Sequence, residues 1–271
     1  MVVLGMQEAE LIYWIAVSLS VLSVPTFLLL LILHAPYGRY AAESSKVFGC
    51  MVPGKFAWVV QELPCVVVGG MCLVYADQSV LSSNVNRILL FMFLLHYVNR
   101  ACIFPCLIRG GKPTTFMVLV RFSLRQAFAL AFCFCLVNGY QQTRYLTYVS
   151  KYSDTDLTSP RFWLGVALFF GGMFVNIQSD AILRNLRKPG DTQYHIPKGG
   201  MFEYVSGANF FGEILEWGGF ALAANNLPAL SFFLYTASNI APRAVHHHKY
   251  YQTKFKEAYP KNRKAIIPFV Y

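Results

Sequence analysis

The sequence is poor in charged residues, and in acidic residues above all. Only 13% of the 271 residues are charged, and 13 Asp and Glu stand against 23 Lys and Arg. Hydrophobic residues make up 56% of the chain. A soluble globular domain has about 25% charged residues, so this composition excludes that class and indicates a membrane protein.

Several common sequence signatures are also missing. The chain has no GxGxxG, GxxxxGK[ST], HExxH or GxSxG motif, so the usual sequence grounds for a Rossmann fold, a P-loop, a zincin or an α/β-hydrolase are absent. The seven cysteines form no CxxC pair and fall mostly in apolar runs, which favours packing over disulfides or metal ligation. The run His246-His247-His248 is a weak metal candidate, because neighbouring residues on a helix point to different sides.

Seven apolar runs have about the length that is needed to cross a bilayer, roughly 20 residues. They cover about 11–33, 56–75, 88–108, 115–137, 162–183, 205–225 and 228–242, and the last is short. Continuous apolar runs favour helices over the alternating strands of a membrane barrel. The sequence therefore predicts an all-α membrane protein, a single domain over 1–271 with seven transmembrane helices, and its longest loop at about 138–161.

Basic residues are distributed unevenly between the predicted loops. Sixteen of the 23 fall in the first, third and fifth loops and the C-terminal tail, whereas four fall in the second, fourth and sixth loops. The positive-inside rule then predicts a lumenal N-terminus and a cytosolic C-terminus. Part of the basic tail is expected to contact anionic lipid, and its apolar end is expected to dock on the body of the protein.

Glu62 interrupts an apolar run. A carboxylate in such a run should be paired, protonated or chemically active, because an unpaired buried charge is costly. Other polar groups recur at helical spacing: Trp58, Gln61 and Glu62; His96, Tyr97 and Arg100; Asn176, Asp180 and Arg187; Asn209, Glu213 and Glu216; Arg243, His247 and Tyr251. Hydrogen bonds between helices would explain any one residue. The whole set predicts a polar pocket whose arginines suit a phosphate-bearing ligand.

Several segments match a known pattern. They are Gln61-Glu62-Leu63-Pro64, His96-Tyr97-Val98-Asn99-Arg100, Asn176-Ile177-Gln178-Ser179-Asp180, residues 182–191, residues 199–209, Gly212-Glu213-Ile214-Leu215-Glu216-Trp217, the three histidines and residues 264–268. With these motifs the chain resembles the steroid 5α-reductase family, membrane enzymes that reduce 3-oxo-Δ4-steroids with NADPH. The similarity runs from about Tyr37 and is densest in the C-terminal half.

The resemblance implies a fold and a set of site residues. It implies seven helices that enclose a steroid and NADPH pocket in the endoplasmic reticulum membrane, with the steroid entering from the bilayer. Glu62 and Tyr97 would hydrogen-bond the steroid C3 carbonyl, and Trp58, Gln61 and Arg121 would help to bind the substrate. NADPH would be held by Asn176, Asp180, Arg187, Asn209, Glu213, Arg243, His247 and Tyr251, with Tyr37 and Lys112 as further candidates, the cofactor residues being concentrated in 176–271. No nucleic acid or obligate protein partner is implied.

Two features depart from the family pattern. His195 stands where the family has an arginine that contacts the cofactor. The fourth apolar run is longer than in the family and adds Arg121 and Arg125, either of which could replace a family arginine of the pocket.

The residues suit the chemistry that the resemblance implies. Reduction of a C4=C5 bond conjugated to a C3 ketone adds hydride at C5 and a proton at C4, and negative charge builds on the C3 oxygen. Acidic donors aimed at that oxygen stabilise the transition state. Tyr97 can donate directly, whereas Glu62 can donate only in its protonated form, which burial favours.

Three other functions fit parts of the sequence. One is a reductase of another unsaturated lipid, such as a polyprenol or an enoyl thioester; the second is a non-catalytic sterol-binding protein; the third is a membrane methyltransferase. The segment Gln61-Glu62-Leu63-Pro64 favours a ketosteroid over the other lipids.

Overall fold

The computed structural model describes residues 2–3, 6–33, 51–52, 54–108, 114–115, 127–186 and 193–270. Within these ranges the long helices are α1 Glu8–Ile32, α2 Gly54–Val74, α3 Asn84–Leu107, α4 Ala127–Arg144, α5 Pro160–Asn185, α6 Ala208–Ala224 and α7 Leu227–Phe255. Short helical turns occur at Gln78–Leu81, Asp154–Thr158, Gly200–Glu203 and Lys256–Ala258. Helix α3 contains a π-helical turn at Asn99–Ile103, and α4 continues into another at Tyr145–Val149. The extended segments are β1 Val2–Val3 with β2 Met6–Gln7 and β3 Met51–Val52 with β4 Thr114–Thr115, both antiparallel.

Among the residues that the structure describes, four helices, α1, α2, α3 and α5, are long and apolar enough to cross a membrane. Their ends agree with the predicted runs to within a few residues. The structure thus confirms the predicted class, an all-helical membrane protein. Helix α7 is much longer than the predicted seventh run. The run ended at residue 242, whereas the helix continues through Pro242 to Phe255.

The fourth predicted span is wrong in its boundaries. Residues 114–115 pair with β3 instead of opening a helix, and α4 continues past Asn138 to Arg144, where the sequence predicted a loop. The dipeptide Asn138-Gly139 is not a turn here. A β-carbon at Gly139 would lie 2.9 Å from the Cys65 Cα atom of α2, so this glycine permits close helix packing.

Contacts divide the chain into two compact units, and the first comprises Met1–Ile15 and Ala35–Thr158. A buried ion pair fixes the start of α1 to α4 in this unit. Arg144 donates from Nε to Glu8 Oε1 at 2.6 Å and from Nη2 to Glu8 Oε2 at 3.2 Å. The Tyr140 hydroxyl also donates to Glu8 Oε1, at 2.8 Å. Two donors from one face of α4 therefore satisfy this carboxylate.

The second unit comprises Ala16–His34 and Ser159–Tyr271. Helices α5 and α6 run antiparallel in it, with their backbones in contact. A β-carbon at any of four seam glycines would lie less than 3.0 Å from the backbone of the other helix; these are Gly165, Gly172, Gly212 and Gly219. Within each helix the two glycines are seven residues apart, two helical turns, so they fall on one face. Their spacing sets the separation of α5 and α6.

The chain after α7 returns to the segment that precedes α6. Val205 bridges to Lys264, and the Ser206 and Gly207 amides donate to the carbonyls of Lys264 and Ala265 at 2.8 and 3.0 Å. Ala265 and Ile266 are buried, which confirms the predicted docking for them. For Ile267, Phe269 and Val270 the prediction is wrong, because all three side chains are exposed.

Candidate active site

Glu62 lies on α2, with its carboxylate directed at α4. The Cys135 thiol donates to Glu62 Oε2 at 3.6 Å. The Cys65 thiol, one turn along α2 from Glu62, donates to the Cys135 carbonyl at 3.0 Å. Two thiols thus fix α2 and α4 beside the carboxyl group, and both residues occur as free cysteines in the structure.

Tyr97 lies on α3 with only 3% of its surface exposed. The Asn138 amide donates to the Tyr97 hydroxyl at 3.2 Å, and the Phe93 ring packs 4.8 Å from the Tyr97 ring. A hydroxyl that accepts one hydrogen bond can still donate another. Asn138 therefore orients the phenol without using its acidic proton.

Helix α4 connects the two sequence-predicted catalytic residues. Cys135 contacts Glu62 and Asn138 contacts Tyr97, and these two α4 residues are three apart, on one face of the helix. Gln142, one turn further on, donates to Asn138 Oδ1 at 3.3 Å and so fixes the orientation of the Asn138 amide. Sequence reasoning missed Asn138, since Asn-Gly is a strong turn signal. The helical spacing of 135, 138 and 142 was the signal that could have identified it.

Trp58 stands one turn before Glu62 on α2, beside a buried cation. The Arg100 guanidinium lies 4.8 Å from the Trp58 ring and 4.6 Å from the Phe104 ring, in the π-helical part of α3. The buried Trp58 Nε1 atom has no hydrogen-bond partner among the described residues. A ligand oxygen would satisfy this donor. Gln61 is half-buried on the same helix.

In the second unit, Asn176 and Asn209 meet across the α5–α6 seam. The Asn176 amide donates to the Asn209 carbonyl at 3.0 Å. Because α5 and α6 are antiparallel, Asp180 and Glu213 lie one turn away from this contact in opposite directions along the seam. The structure therefore brings the two asparagines together but not the two acids. Asp180 is buried and Glu213 is half-buried.

Helix α7 carries three of the predicted cofactor residues on one face. Arg243 and His247 contact the same ring, that of Phe210 on α6, at 5.0 and 5.5 Å. Tyr251 follows one turn later, buried and stacked on Tyr259 with the ring centroids 5.6 Å apart. The first part of the predicted tail, residues 243–251, is helical, so the four-residue spacing of these side chains does place them on one face.

The three consecutive histidines have three different environments, as the sequence predicted. The His246 Nε2 atom lies 2.8 Å from the Leu30 carbonyl of α1. His247 packs on Phe210. The His248 Nδ1 atom lies 2.6 Å from the Ser206 hydroxyl. Three divergent imidazoles do not form one metal site.

His248 belongs to a polar cluster that joins α7 to the segment before α6 and the segment after α7. Ser206 Oγ lies 2.6 Å from the Tyr259 hydroxyl and 3.1 Å from the Lys264 carbonyl, and Gln252 Nε2 lies 2.8 Å from His248 Nε2. Burial lowers the pKa of His248, and the positive charges of Lys264 and Arg263 lower it further. The cluster thus favours a neutral imidazole that links α7 to the C-terminal segment.

Four predicted site residues, Tyr37, Lys112, Arg121 and Arg187, lie outside the described residues. The same holds for Arg125.

Comparison with known proteins identifies the family. The family model described as 3-oxo-5-alpha-steroid 4-dehydrogenase matches residues 121–271. The chain is 49% identical over 236 residues to 3-oxo-5-alpha-steroid 4-dehydrogenase 1 of Rattus norvegicus, which covers 87% of this chain and 86% of the relative. For the type 1 protein of Homo sapiens the identity is 48% over 240 residues, 88% and 87% of the two chains.

A type 2 relative is slightly less similar. The chain is 43% identical over 235 residues to 3-oxo-5-alpha-steroid 4-dehydrogenase 2 of Homo sapiens, 87% of each chain. The identity and coverage of these relatives far exceed what shared composition produces, and they extend over both units. The chain belongs to the 3-oxo-5-alpha-steroid 4-dehydrogenase family, a family of oxidoreductase enzymes.

Proposed function

We propose that this protein uses NADPH to reduce the C4=C5 double bond of 3-oxo-Δ4-steroids, such as testosterone and progesterone, to 5α-dihydrosteroids. The observation that carries the proposal is the support of Glu62 and Tyr97 from one face of α4. The names of the relatives support the same reaction class. A nearly apolar steroid also suits a protein whose helices enter the bilayer.

Glu62 and Tyr97 would act on the C3 carbonyl of the steroid. As negative charge builds on this oxygen, the Tyr97 O–H and a protonated Glu62 would each donate a hydrogen bond to it. Such donors stabilise the transition state more than the ground state, and they act more strongly in a dry pocket than in water. Asn138 and Cys135 would hold the two groups in place before substrate arrives. Trp58, Gln61 and Arg121 would help to bind the steroid, with Trp58 Nε1 donating to one of its oxygens.

The second unit has a donor set that fits NADPH. Asn176 and Asn209 provide amides, and Arg243 provides a cation for phosphate. The hydroxyl of Ser179, on the same helix as Asn176 and Asp180, is buried without a hydrogen-bond partner in the described ranges, as expected for a group that awaits a ligand. We assign the cofactor to these residues with Asp180, Glu213, His247 and Tyr251, and to Arg187, Tyr37 and Lys112. When bound, NADPH supplies the hydride that ends at C5.

We also propose the membrane arrangement. The chain would form one seven-span domain that encloses the steroid and the cofactor in the endoplasmic reticulum membrane. The bias of basic residues toward the odd-numbered loops and the tail supports a lumenal N-terminus and a cytosolic C-terminus.

One assay tests the function. Purified protein in lipid is mixed with testosterone or progesterone and NADPH, and the products are analysed by mass. The expected product carries two more hydrogens than the substrate, at C4 and C5, and keeps its C3 ketone. One NADPH should be consumed for each steroid molecule reduced. Steroid binding without NADPH consumption would instead indicate a sterol-binding protein, and no reaction with steroids but turnover of a polyprenol would indicate another lipid reductase.

A further inference from the structure

The end of the chain carries an apolar patch that the steroid chemistry does not use. Its residues are Tyr204, Ile267, Phe269 and Val270, and we call it the C-terminal patch. Phe269 is 78% exposed and Val270 70% exposed, while Ile267 and Tyr204 are about half exposed. The centroids of the Tyr204 and Phe269 rings are 5.4 Å apart, so these two side chains of the patch contact each other.

Two backbone hydrogen bonds shape the patch. Lys264 N donates to the Tyr204 carbonyl at 2.8 Å, and Val270 N donates to the Ile267 carbonyl at 3.2 Å, closing a turn. Phe269 has φ 64°, a left-handed conformation that is costly for a bulky residue. The fold thus directs Phe269 outward at an energetic cost, which marks the turn as a candidate for function.

The patch lies near the end of a candidate transmembrane helix of its own unit. Phe202 and Val205, beside Tyr204, pack on Ile182 and Leu183 in the last turns of α5. A helix of 26 residues is about 39 Å long, longer than a hydrocarbon core of about 30 Å. An end of α5 can therefore reach the headgroup region, and the residues beside Tyr204 pack on the last turns of this helix.

The surrounding charge is positive. Residues 249–264 carry four exposed lysines, Lys249, Lys254, Lys256 and Lys261, and one acid, Glu257. A second exposed acid, Glu203, stands next to Tyr204 and lies 3.8 Å from Arg263. Glu257 pairs with Lys261 at 2.9 Å. Exposed aromatic and aliphatic groups beside several lysines are the composition of a segment that binds an anionic membrane surface.

We propose that the C-terminal patch inserts into the interfacial layer of the bilayer and that the adjacent lysines bind the headgroups of anionic lipids. The occupant of the patch is thus lipid from the leaflet where α5 ends. The inserted turn would fix the level of the chain after α7 relative to the bilayer. It would also explain why Ala265 and Ile266 dock on the protein while the next residues do not.

Photo-crosslinking of the full-length protein tests this proposal. Benzoylphenylalanine replaces Phe269 in one variant and the exposed, uncharged Asn262 in a control, and both are reconstituted in nanodiscs of phosphatidylcholine alone or mixed with phosphatidylserine. We expect acyl-chain adducts at position 269, several-fold more with phosphatidylserine, and few at position 262. Exchange of Lys256 and Lys261 for Glu should remove the gain from phosphatidylserine, since each basic residue near the surface adds to lipid binding.

Three results would overturn the proposal. One is the lack of lipid adducts at position 269, which would place the patch in water. The second is a crosslink to another copy of the protein, which would make the patch a dimer contact. The third is an equal yield of lipid adducts in the two lipid mixtures.

Discussion

Glu62 and Tyr97, the two proposed catalytic residues, are both restricted by neighbouring side chains. Neither would be well placed alone, because a carboxyl and a phenol on separate helices have several rotamers each. Cys135 and Asn138 restrict both from one face of α4, and Gln142 restricts Asn138 in turn. Preorganised donors of this kind cost no rearrangement at the moment of reaction.

Substitution of Tyr97 by Phe should lower kcat by about 10²–10³-fold, which is the usual effect of losing one donor to a developing oxyanion. The ring and its packing on Phe93 would remain, so steroid KM should change little. Steady-state kinetics with the steroid and NADPH would measure both constants. A normal kcat in the Tyr97→Phe variant would remove Tyr97 from the mechanism.

Glu62→Gln should retain NADPH binding and lose most of the turnover, because an amide is a much weaker acid than a carboxylic acid. Cofactor binding is measured by titration of protein fluorescence, and turnover by product mass. Glu10→Gln, at an exposed acid of α1, is the control and should behave as wild type. Full turnover of the Glu62→Gln variant would contradict the assignment.

The lowered pKa of His248 predicts that the stability of the fold depends on pH. Its pKa in the folded protein is lowered by burial and by Lys264 and Arg263. Below about pH 6.5, the ordinary value for histidine, the unfolded chain takes up a proton that the folded chain resists. Stability should therefore fall as the pH drops from about 6.5 toward the folded pKa.

Thermal unfolding in lipid between pH 5 and 8 measures this effect. The variant His248→Gln keeps polar contacts but cannot titrate, so its stability should depend less on pH over that window. If the stability of wild type and of the His248→Gln variant changed with pH in the same way, a group other than His248 would be responsible for the pH dependence.

At the scale of helices, α5 and α6 form a close backbone contact. Two pairs of glycines let the backbones touch, and this contact fixes Asn176 opposite Asn209. Close approach of this kind is a common basis of helix association in membranes, where the hydrophobic effect between helices is absent.

Adjacent glycines on α5 provide a matched test of the seam. A β-carbon at Gly172 would collide with the α6 backbone, whereas Gly171 has nothing within 4 Å. Gly172→Ala should therefore destabilise the protein by several kcal/mol, in the range for overpacked sites. Gly171→Ala should be neutral or slightly stabilising, by up to about 1 kcal/mol, because alanine is the better helix former. Thermal unfolding in the same lipid compares the two variants. Equal melting temperatures would contradict the close packing of the α5 and α6 backbones at Gly172.

At the scale of the whole molecule, long-range ties connect distant parts of the sequence. The Glu8–Arg144 pair joins residues 136 apart, and its two side chains are 4% and 9% exposed. Removing one partner of such a buried pair usually costs about 3–5 kcal/mol, because the other charge stays buried.

Glu8→Gln and Arg144→Gln should each lower the melting temperature clearly, and the double variant should lose less than the sum of the two. This coupling is read from a double-mutant cycle of unfolding free energies. Losses that simply add would show that the two side chains do not interact.

The positions of α1, α2, α3, α5 and α6 could be predicted from the sequence, because the length of an apolar run is a local property. Glu62 drew attention as a carboxyl group in an apolar run and Tyr97 through the family motif, and their catalytic roles stay predictions. The path of α4 could not. The dipeptide Asn138-Gly139 signals a turn locally, and only the approach of Cys65 shows why the glycine is needed inside a helix.

The sequence by itself determined the class of protein. A long apolar run can cross a bilayer, and inside lipid it forms a helix because backbone groups without hydrogen bonds are costly there. It also determined the family, through motifs that cover most of the chain. Only the tertiary structure decided that Asn138 orients Tyr97, that Asp180 and Glu213 diverge along the seam, and that the chain end is partly exposed. These features depend on contacts between residues distant in sequence, and such contacts follow from packing rather than from any local pattern.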